Sequence, residues 1–598
     1  MKRLLAIILA SLMLLTMLTG CSSDEEKDEI KGAQIQAFIT TLPESLDPAA
    51  VYTSADTVRV MGLIYEGLTT IDKNGKLENA LAKEWEYEID ERDNLLKLDI
   101  SLADSRWSDG IIVDADDFIY AWSRILLPEN NNSNAALLYP ILNAKKVKEG
   151  LCSVNDLGVY AINDKTMQIV FEPSYAGAEH SKKEIKANVE AFMRRLSSPA
   201  LVPLREDVVS TGADWSVPGG ASYVTNGPFK IKAWHTGELT FERSVYYRCV
   251  SDGENTAEDK IVKPYRIITS YSEGKSVDEH LERYNNKESF YLNLSSANKE
   301  TTSSFKKNKI ETYDLASTHT LLLDNTHELF ANEKVRQALS LALDRNAIAN
   351  SLSVTMKGAT GLIPYGVEGS KKGKEFRKES DNLISTSADM AKAKQLIAES
   401  GMSGKFIAIE YSNARANDEI IAKACQAAWS ELGFKVSITS RPQKYINNKV
   451  LGIYPMNQNN EALNAASVVT FDYQSTTYDA MSMLLPFSAK FGGNFIDVTT
   501  GPSQEDVVYN HHVSGFYDEQ YDELCEKFVN ADNTADRTAA YKQAEKYLIE
   551  KMPVIPVVFN AAGFVSQELS NTDTDFYGRF CFTDLNQKNF EKYLPKVD

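Results

Sequence analysis

The chain has 598 residues, of which 43% are hydrophobic, 10% aromatic and 25% charged, and it carries a net charge of −19. This is ordinary globular usage, with material for about three domains at roughly 100–200 residues each, and it excludes a disordered, collagen-like or coiled-coil protein. An acidic chain of this size is a poor partner for phosphate backbones, so no nucleic-acid partner is expected.

Lys2 and Arg3 precede an apolar run from Leu4 to Leu18. The run is short for a membrane span, which needs about 20 residues, and has the length of a signal-peptide core. Leu18-Thr19-Gly20-Cys21 follows and resembles a bacterial lipobox, in which cleavage before Cys21 leaves its thiol to be acylated. On this reading residues 1–20 are a lipoprotein signal peptide and 21–32 a charged flexible tether. The protein is then exported and held to the outer face of the cytoplasmic membrane by lipid alone, at a cell surface or in a periplasm. Loss of Lys2 and Arg3 takes the net charge from −19 to −21. Cys152, Cys249, Cys425, Cys525 and Cys581 remain, an odd number with no Cys-x-x-Cys, and most are expected as lone buried thiols.

Gln34 to Ile39 reads as a strand and Thr57 to Leu68 as an amphipathic helix ending near Gly67. Leu96, Leu98, Ile100 and Leu102 alternate with polar residues, as in a half-buried strand. Asp114 begins a helix as its N-cap, with Asp117 three residues on; Phe118, Trp122 and Ile125 share one face and Pro128 follows the end. Met167, Ile169 and Phe171 alternate before Pro173. Residues 226–247 form a hairpin, with Phe229, Ile231 and Ala233 on one face and His235-Thr236-Gly237-Glu238 as the turn. Residues 251–320 are polar and carry no readable order of elements.

From Asn332 the spacing of Val335, Ala338, Leu339, Ala342 and Leu343 predicts a helix. Phe406–Tyr411, Asp418–Leu432 and Phe434–Ile438 read as a βαβ unit, with Gly433 closing the helix and the two strands parallel. Ala535–Lys551 reads as a helix, and Val554–Phe559 as a strand placed near a sheet edge by Pro556.

The seven histidines, at 180, 235, 280, 319, 327, 511 and 512, are scattered. No zincin, nucleophile-elbow, P-loop or dinucleotide fingerprint occurs. No metal, no cofactor and no enzymatic activity are therefore expected.

One resemblance runs in order through residues 42 to 560. Its segments are Leu42-Pro43-Glu44-Ser45-Leu46-Asp47-Pro48, Ile64-Tyr65-Glu66-Gly67-Leu68, Leu81-Ala82-Lys83-Glu84-Trp85-Glu86 and Trp107-Ser108-Asp109-Gly110. They continue with Asp114 to Arg124, Asn226-Gly227-Pro228-Phe229-Lys230-Ile231-Lys232 with Trp234, Val335-Arg336-Gln337-Ala338-Leu339 with Asp344-Arg345, and Pro553-Val554-Ile555-Pro556. Together they resemble the extracytoplasmic solute-binding proteins of the oligopeptide and dipeptide ABC importers, bacterial family 5.

The resemblance implies an α/β, two-lobe, periplasmic-binding-protein-like fold (type II, class C), with an extra domain inserted in the first lobe and a ligand cleft between the lobes. The first lobe is expected at 33–68, 190–310 and 555–598, the extra domain at 69–189 and the second lobe at 311–554. The implied function is a monomeric binding lipoprotein that captures peptides in a closing cleft and delivers them to permease subunits with cytoplasmic ATPases. The alternative is the same fold binding a non-peptide solute or sensing a signalling peptide.

Most family motifs read as scaffold: Trp85, Trp107 and Trp122 as core aromatics, Arg336, Asp344 and Arg345 as surface and inter-helix ion pairs, and Asn226-Gly227 as a turn at the lobe hinge. Tyr120 occupies a family position near the cleft, between packing and ligand contact. A peptide's ammonium needs a desolvated carboxylate, and the family's Asp-Tyr pair corresponds to Asp472-Tyr473 here. The family's following Asp-Pro is missing, and alignment from downstream would favour Asp479 instead. The candidate ligand residues are thus Asp472, Tyr473, Tyr120 and Asn226, and the candidate lipidation site is Cys21.

Overall fold

The computed structural model describes residues 32–594 apart from short stretches, the longest of them 249–261, 498–507 and 575–581. Cys21, Cys249 and Cys581 lie outside the described residues. Among the described residues, no helix is long and apolar enough to cross a membrane. Cys152, Cys425 and Cys525 are free thiols, and burial pushes the Cys425 thiol up to about 12.

One 11-stranded sheet runs through the molecule. Its spatial order is Lys435–Arg441, Phe406–Ser412, Ala466–Gln474, Glu311–Leu323, Val554–Ser566, Tyr291–Asn293, Gln34–Ile39, Arg266–Tyr271, Glu238–Arg243 and Phe229–His235, and Lys357–Gly358 adds to Val554–Ser566 from the side. The two central strands, Glu311–Leu323 and Val554–Ser566, are 13 residues each and pair antiparallel. Their register slips between Asp314 and Thr318 and again between His319 and Thr320. Such slips leave unpaired residues and bend the ladder, which lets the sheet turn.

Pro556 lies at the second slip. The expectation that it marks a sheet edge holds locally: Glu311–Leu323 pairs it on one side, while on the other Lys357–Gly358 reaches only Val558 and Phe559 and Tyr291–Asn293 only Phe564 to Ser566. A proline costs little where the ladder is already broken.

A separate four-stranded antiparallel sheet is made by Ala82–Asp90, Leu95–Leu102, Thr166–Val170 and Val159–Asn163. Leu96, Leu98, Ile100 and Leu102 point inward as their alternation predicts. Helix Ala115–Leu126 follows the Asp114 cap, and both bonds of the capping box form. Phe118, Trp122 and Ile125 are buried on its inner face, each worth roughly 1.5–3 kcal/mol by area removed from water. Trp107 and Trp122 are fully buried, and their indole N–H groups donate to Asp117 Oδ2 at 2.8 Å and to Leu201 O at 3.1 Å.

Burial pushes the Asp117 carboxyl up to about 7, against the Trp107 bond that favours its charged form. The folded state therefore holds this proton from about pH 4 to 7, and stability falls as pH rises through that window. Asp117→Asn cannot ionise. Relative to wild type it is expected to gain up to about 1.4 kcal/mol per pH unit across the window, with no further change above it. Urea unfolding of both proteins at several pH values checks this, and a constant difference from pH 4 to 8 would remove burial as the cause.

The βαβ unit forms as read: Phe406–Ser412 and Lys435–Arg441 are parallel, joined by helix Ala416–Glu431 with Gly433 at φ 94°. The hairpin also forms, with a register shift between Ile231 and Ala233 that turns Trp234 inward. Arg336 and Arg345 depart from the expected ion pairs. Both are buried and clamp carbonyls: Arg336 donates to Lys551 O and Phe330 O, and Arg345 to Pro556 O and Ser340 O. Asp344 caps the helix Arg345–Ser351.

Several sequence motifs meet in space. Arg124 pairs with Asp47 through both guanidinium nitrogens at 2.9 and 2.5 Å. Ser108 N donates to Thr225 O at 2.7 Å. Asn226, 1% exposed, accepts from Glu66 N at 3.1 Å and donates to Glu66 O at 2.9 Å. Beside it Gly227 N donates to Ile64 O at 2.8 Å, and a Cβ on Gly227 would stand 2.5 Å from the Ile64 carbonyl carbon. Only glycine allows this approach. Asn226 is thus scaffold and not a ligand contact, which corrects its place among the candidates.

Candidate ligand-binding cavity

Asp472 and Tyr473 are successive residues of Ala466–Gln474, so their side chains leave opposite faces of the sheet. Asp472 opens on a cavity that Arg59, Asn293, His319, Arg415 and Asn560 also line. Tyr473 opens on a different cavity, with Phe471, Phe487 and His512. Its ring packs edge-on against Phe487, with 6.0 Å between centroids. The structure therefore separates the two members of the Asp-Tyr pair. Burial holds His512 neutral, its pKa pulled down to about 3.

The cavity at Asp472 lies where fold geometry places ligands. Phe406–Ser412 and Ala466–Gln474 are parallel, and their carboxyl ends open toward it; crevices outside such ends are the usual ligand sites of α/β sheets. Arg415 sits in the turn after the first of these strands, and Asp418 in the first turn of the helix that follows. His319 is the direct cross-strand neighbour of Asp472. Arg59 comes from helix Ala55–Ile64 and Asn293 from Tyr291–Asn293. Across the cavity, Asn417 Nδ2 donates to Ser295 O at 3.2 Å.

Four ionisable groups form one buried cluster. Asp472 Oδ2 accepts from Arg415 Nη1 and its Oδ1 bonds His319 Nδ1 at 2.8 Å. Arg415 Nη2 donates to Asp418 Oδ2 at 2.8 Å. Burial pushes the Asp472 carboxyl up, but the Arg415 guanidinium, the His319 bond and an Asn560 bond together hold it well below the usual carboxylate range. For Asp418, 1% exposed, burial dominates over the Arg415 attraction and its carboxyl is raised. Arg59 lines the same cavity, so two guanidinium groups face the two carboxyl groups there.

The other candidates lie elsewhere. Tyr120 is half-buried on helix Ala115–Leu126, near Arg124, Asp47 and Glu206, and does not line the cavity at Asp472. Asp479 accepts from Tyr541 Oη at 2.8 Å and from Met481 N at 3.1 Å, which makes it a loop cap. Between the two carboxylates considered as anchor, Asp472 is the one that borders the cavity.

Sequence reasoning missed His319, Arg415, Asp418 and Asn560 as site residues. Glu311–Leu323, which carries His319, begins in the stretch without readable order. Asp418 reads as an ordinary acidic first turn. Only the i, i+3 spacing of Arg415 and Asp418 hinted at a pair.

A bent central strand pair, two lobes and a charged cavity between them define a two-lobe solute-binding protein. The chain belongs to the bacterial extracellular solute-binding proteins, family 5, whose middle-region model matches residues 76–495. It is 24% identical over 588 residues to the oligopeptide-binding protein OppA of Bacillus subtilis, covering 95% of this chain and 96% of that protein. It is 24% identical over 530 residues to the dipeptide-binding protein DppE of the same organism, covering 86% and 85%. The substrate-binding domain of an oligopeptide ABC transporter from Bacillus anthracis shares the fold, with TM-score 0.74 and 21% identity over 94% of this chain and 99% of that one.

Proposed function

We propose that this chain is the peptide-capturing component of an ABC importer, not an enzyme, and that it takes the peptide N-terminus into the cavity at Asp472. The observation that carries the reading is the buried Asp472 carboxylate on that cavity's wall, held ionised beside Arg415 and His319. A desolvated carboxylate is the partner a ligand ammonium needs. The names of the relatives, oligopeptide- and dipeptide-binding proteins, agree with it. The division into a first lobe at 33–68, 190–310 and 555–598, an inserted domain at 69–189 and a second lobe at 311–554 is kept as our assignment. Native mass spectrometry of the purified protein tests the function: retained species should be peptides with free N-termini. Retained ligands without any amine would overturn it.

The reading includes export and anchoring through Cys21, supported by the Leu-Thr-Gly-Cys stretch behind a short apolar core. Expressed in a bacterial host, Cys21→Ala is expected to lose partitioning into detergent. A mutant that still partitions as wild type does would rule out the lipid anchor.

A further inference from the structure

The four-stranded sheet of Ala82–Asp90, Leu95–Leu102, Thr166–Val170 and Val159–Asn163 turns one face inward through Leu96, Leu98 and Ile100. The opposite face is acidic. Glu84, Glu86 and Glu88 alternate along the edge strand Ala82–Asp90, so all three leave that side, and all three are exposed. In register, Glu86 faces Asp99, Asp99 faces Gln168 and Gln168 faces Tyr160, one row across all four strands. The paired rows carry these four carboxylates and a single ammonium, that of Lys97, which bonds Asp90 Oδ2 at 2.6 Å. The other edge of the sheet is apolar. Tyr160 and Ile162 on strand Val159–Asn163 are 45% and 55% exposed, and Ile111 and Ile112 in the loop beside it are 50% and 41% exposed. Ala115 N donates to Asp164 O at 3.1 Å and ties the two segments together. These are four of the seven large hydrophobic side chains that stand exposed among the described residues. Such clustering, unlike single scattered residues, marks an interaction surface. Asp104, Asp116 and Asp164 are exposed around them, while Arg106 and Lys165 turn their heads to Gly110 O and Val113 O.

We propose that this face of the inserted domain is the surface by which the binding protein docks on its importer, and that the partner surface carries basic side chains around an apolar patch. The inference rests on the importer reading above. Aromatic and aliphatic side chains supply contact area at the centre of a protein interface, and opposite charges around them steer the encounter and fix its register. The charge argues against the other occupants. An anionic lipid surface would repel the carboxylates, and a second copy docked through the same patch would set those carboxylates against each other. No residue of this sheet lines the cavity at Asp472, so docking and peptide capture are separable by substitution.

Two variants of the full chain test this: one combines Glu84→Lys, Glu86→Lys and Glu88→Lys, the other Tyr160→Ser and Ile162→Ser. The probe is a randomised pool of free-amine tetrapeptides. Binding is read by equilibrium dialysis on purified protein, and uptake by depletion of the pool from the medium of host cells in which the variant is the sole peptide-binding protein. Both variants are expected to melt and to bind the pool as wild type does, while uptake falls by about tenfold or more, within the range over which electrostatic steering changes association rates. Uptake at the wild-type level in either variant, or lost only together with binding, would overturn the docking surface and leave the peptide reading in place. A photo-crosslinking benzoylphenylalanine in place of Tyr160 should label, in cells, a membrane-spanning subunit of the importer. Labelling of lipid alone, or of a second copy of this chain, would also overturn it. Folded wild type that neither binds the pool nor supports its uptake overturns both readings.

Discussion

Asp472→Asn is expected to lower affinity for free-amine peptides by roughly a hundredfold to a few thousandfold. The carboxylate lies on the cavity wall, and removing it strands the ligand's ammonium in a desolvated site. Breaking a buried pair costs on the order of 3–5 kcal/mol, and about 1.4 kcal/mol is a factor of ten. Asp418 remains bonded to Arg415 in the variant, so the guanidinium keeps one partner and the fold is spared the larger loss. N-terminal acetylation of the peptide should cost wild type far more than it costs the variant. That comparison isolates the ammonium–carboxylate contact, because damage elsewhere lowers affinity for both ligands alike. Equal discrimination by both proteins in calorimetry would remove Asp472 as the anchor.

Arg194→Met is expected to weaken ligand capture by roughly thirtyfold to several thousandfold and to open the molecule. Arg194, on helix Lys182–Arg195, pairs with Glu368 at 2.6 Å, with the two side chains 9% and 8% exposed. Its guanidinium also lies 4.2 Å from the centre of the Tyr478 ring and donates to Gly75 O at 2.9 Å. Along the same seam Asn132 N donates to Gly493 O at 2.8 Å and Lys145 lies 4.6 Å from the centre of the Phe491 ring. By our lobe assignment each of these pairs except Arg194–Gly75, which ties the first lobe to the inserted domain, joins the first lobe or inserted domain to the second lobe, so they form only when the lobes meet. Truncating one partner of such a pair costs about 2–5 kcal/mol, here charged to the closed state. A state that loses this energy is less populated, and apparent affinity falls with its population. Small-angle scattering with peptide present should show a larger radius of gyration for the variant. Unchanged affinity and an unchanged curve would place the Arg194–Glu368 pair outside closure.

Local rules carried a large part of the fold. The Asp114 capping box, the Leu96–Leu102 alternation, the hairpin turn at Gly237 and the βαβ unit closed by Gly433 were legible because each rests on residues within one turn or one strand of each other. The ordered motifs from residue 42 to 560 were likewise enough for the family and for Asp472 as the candidate anchor. The sequence by itself did not show that Arg336 and Arg345 clamp carbonyls instead of pairing with acids. Nor did it show that Asn226 grips Glu66 while Tyr473 turns from Asp472 into another cavity. Those outcomes depend on partners dozens to hundreds of residues away. The binding cluster is the clearest case, since His319, Arg415, Asp418 and Asp472 sit on three elements that only sheet pairing brings together. Their charges have chemical meaning only at the distances the tertiary structure sets, because burial decides what a carboxylate holds.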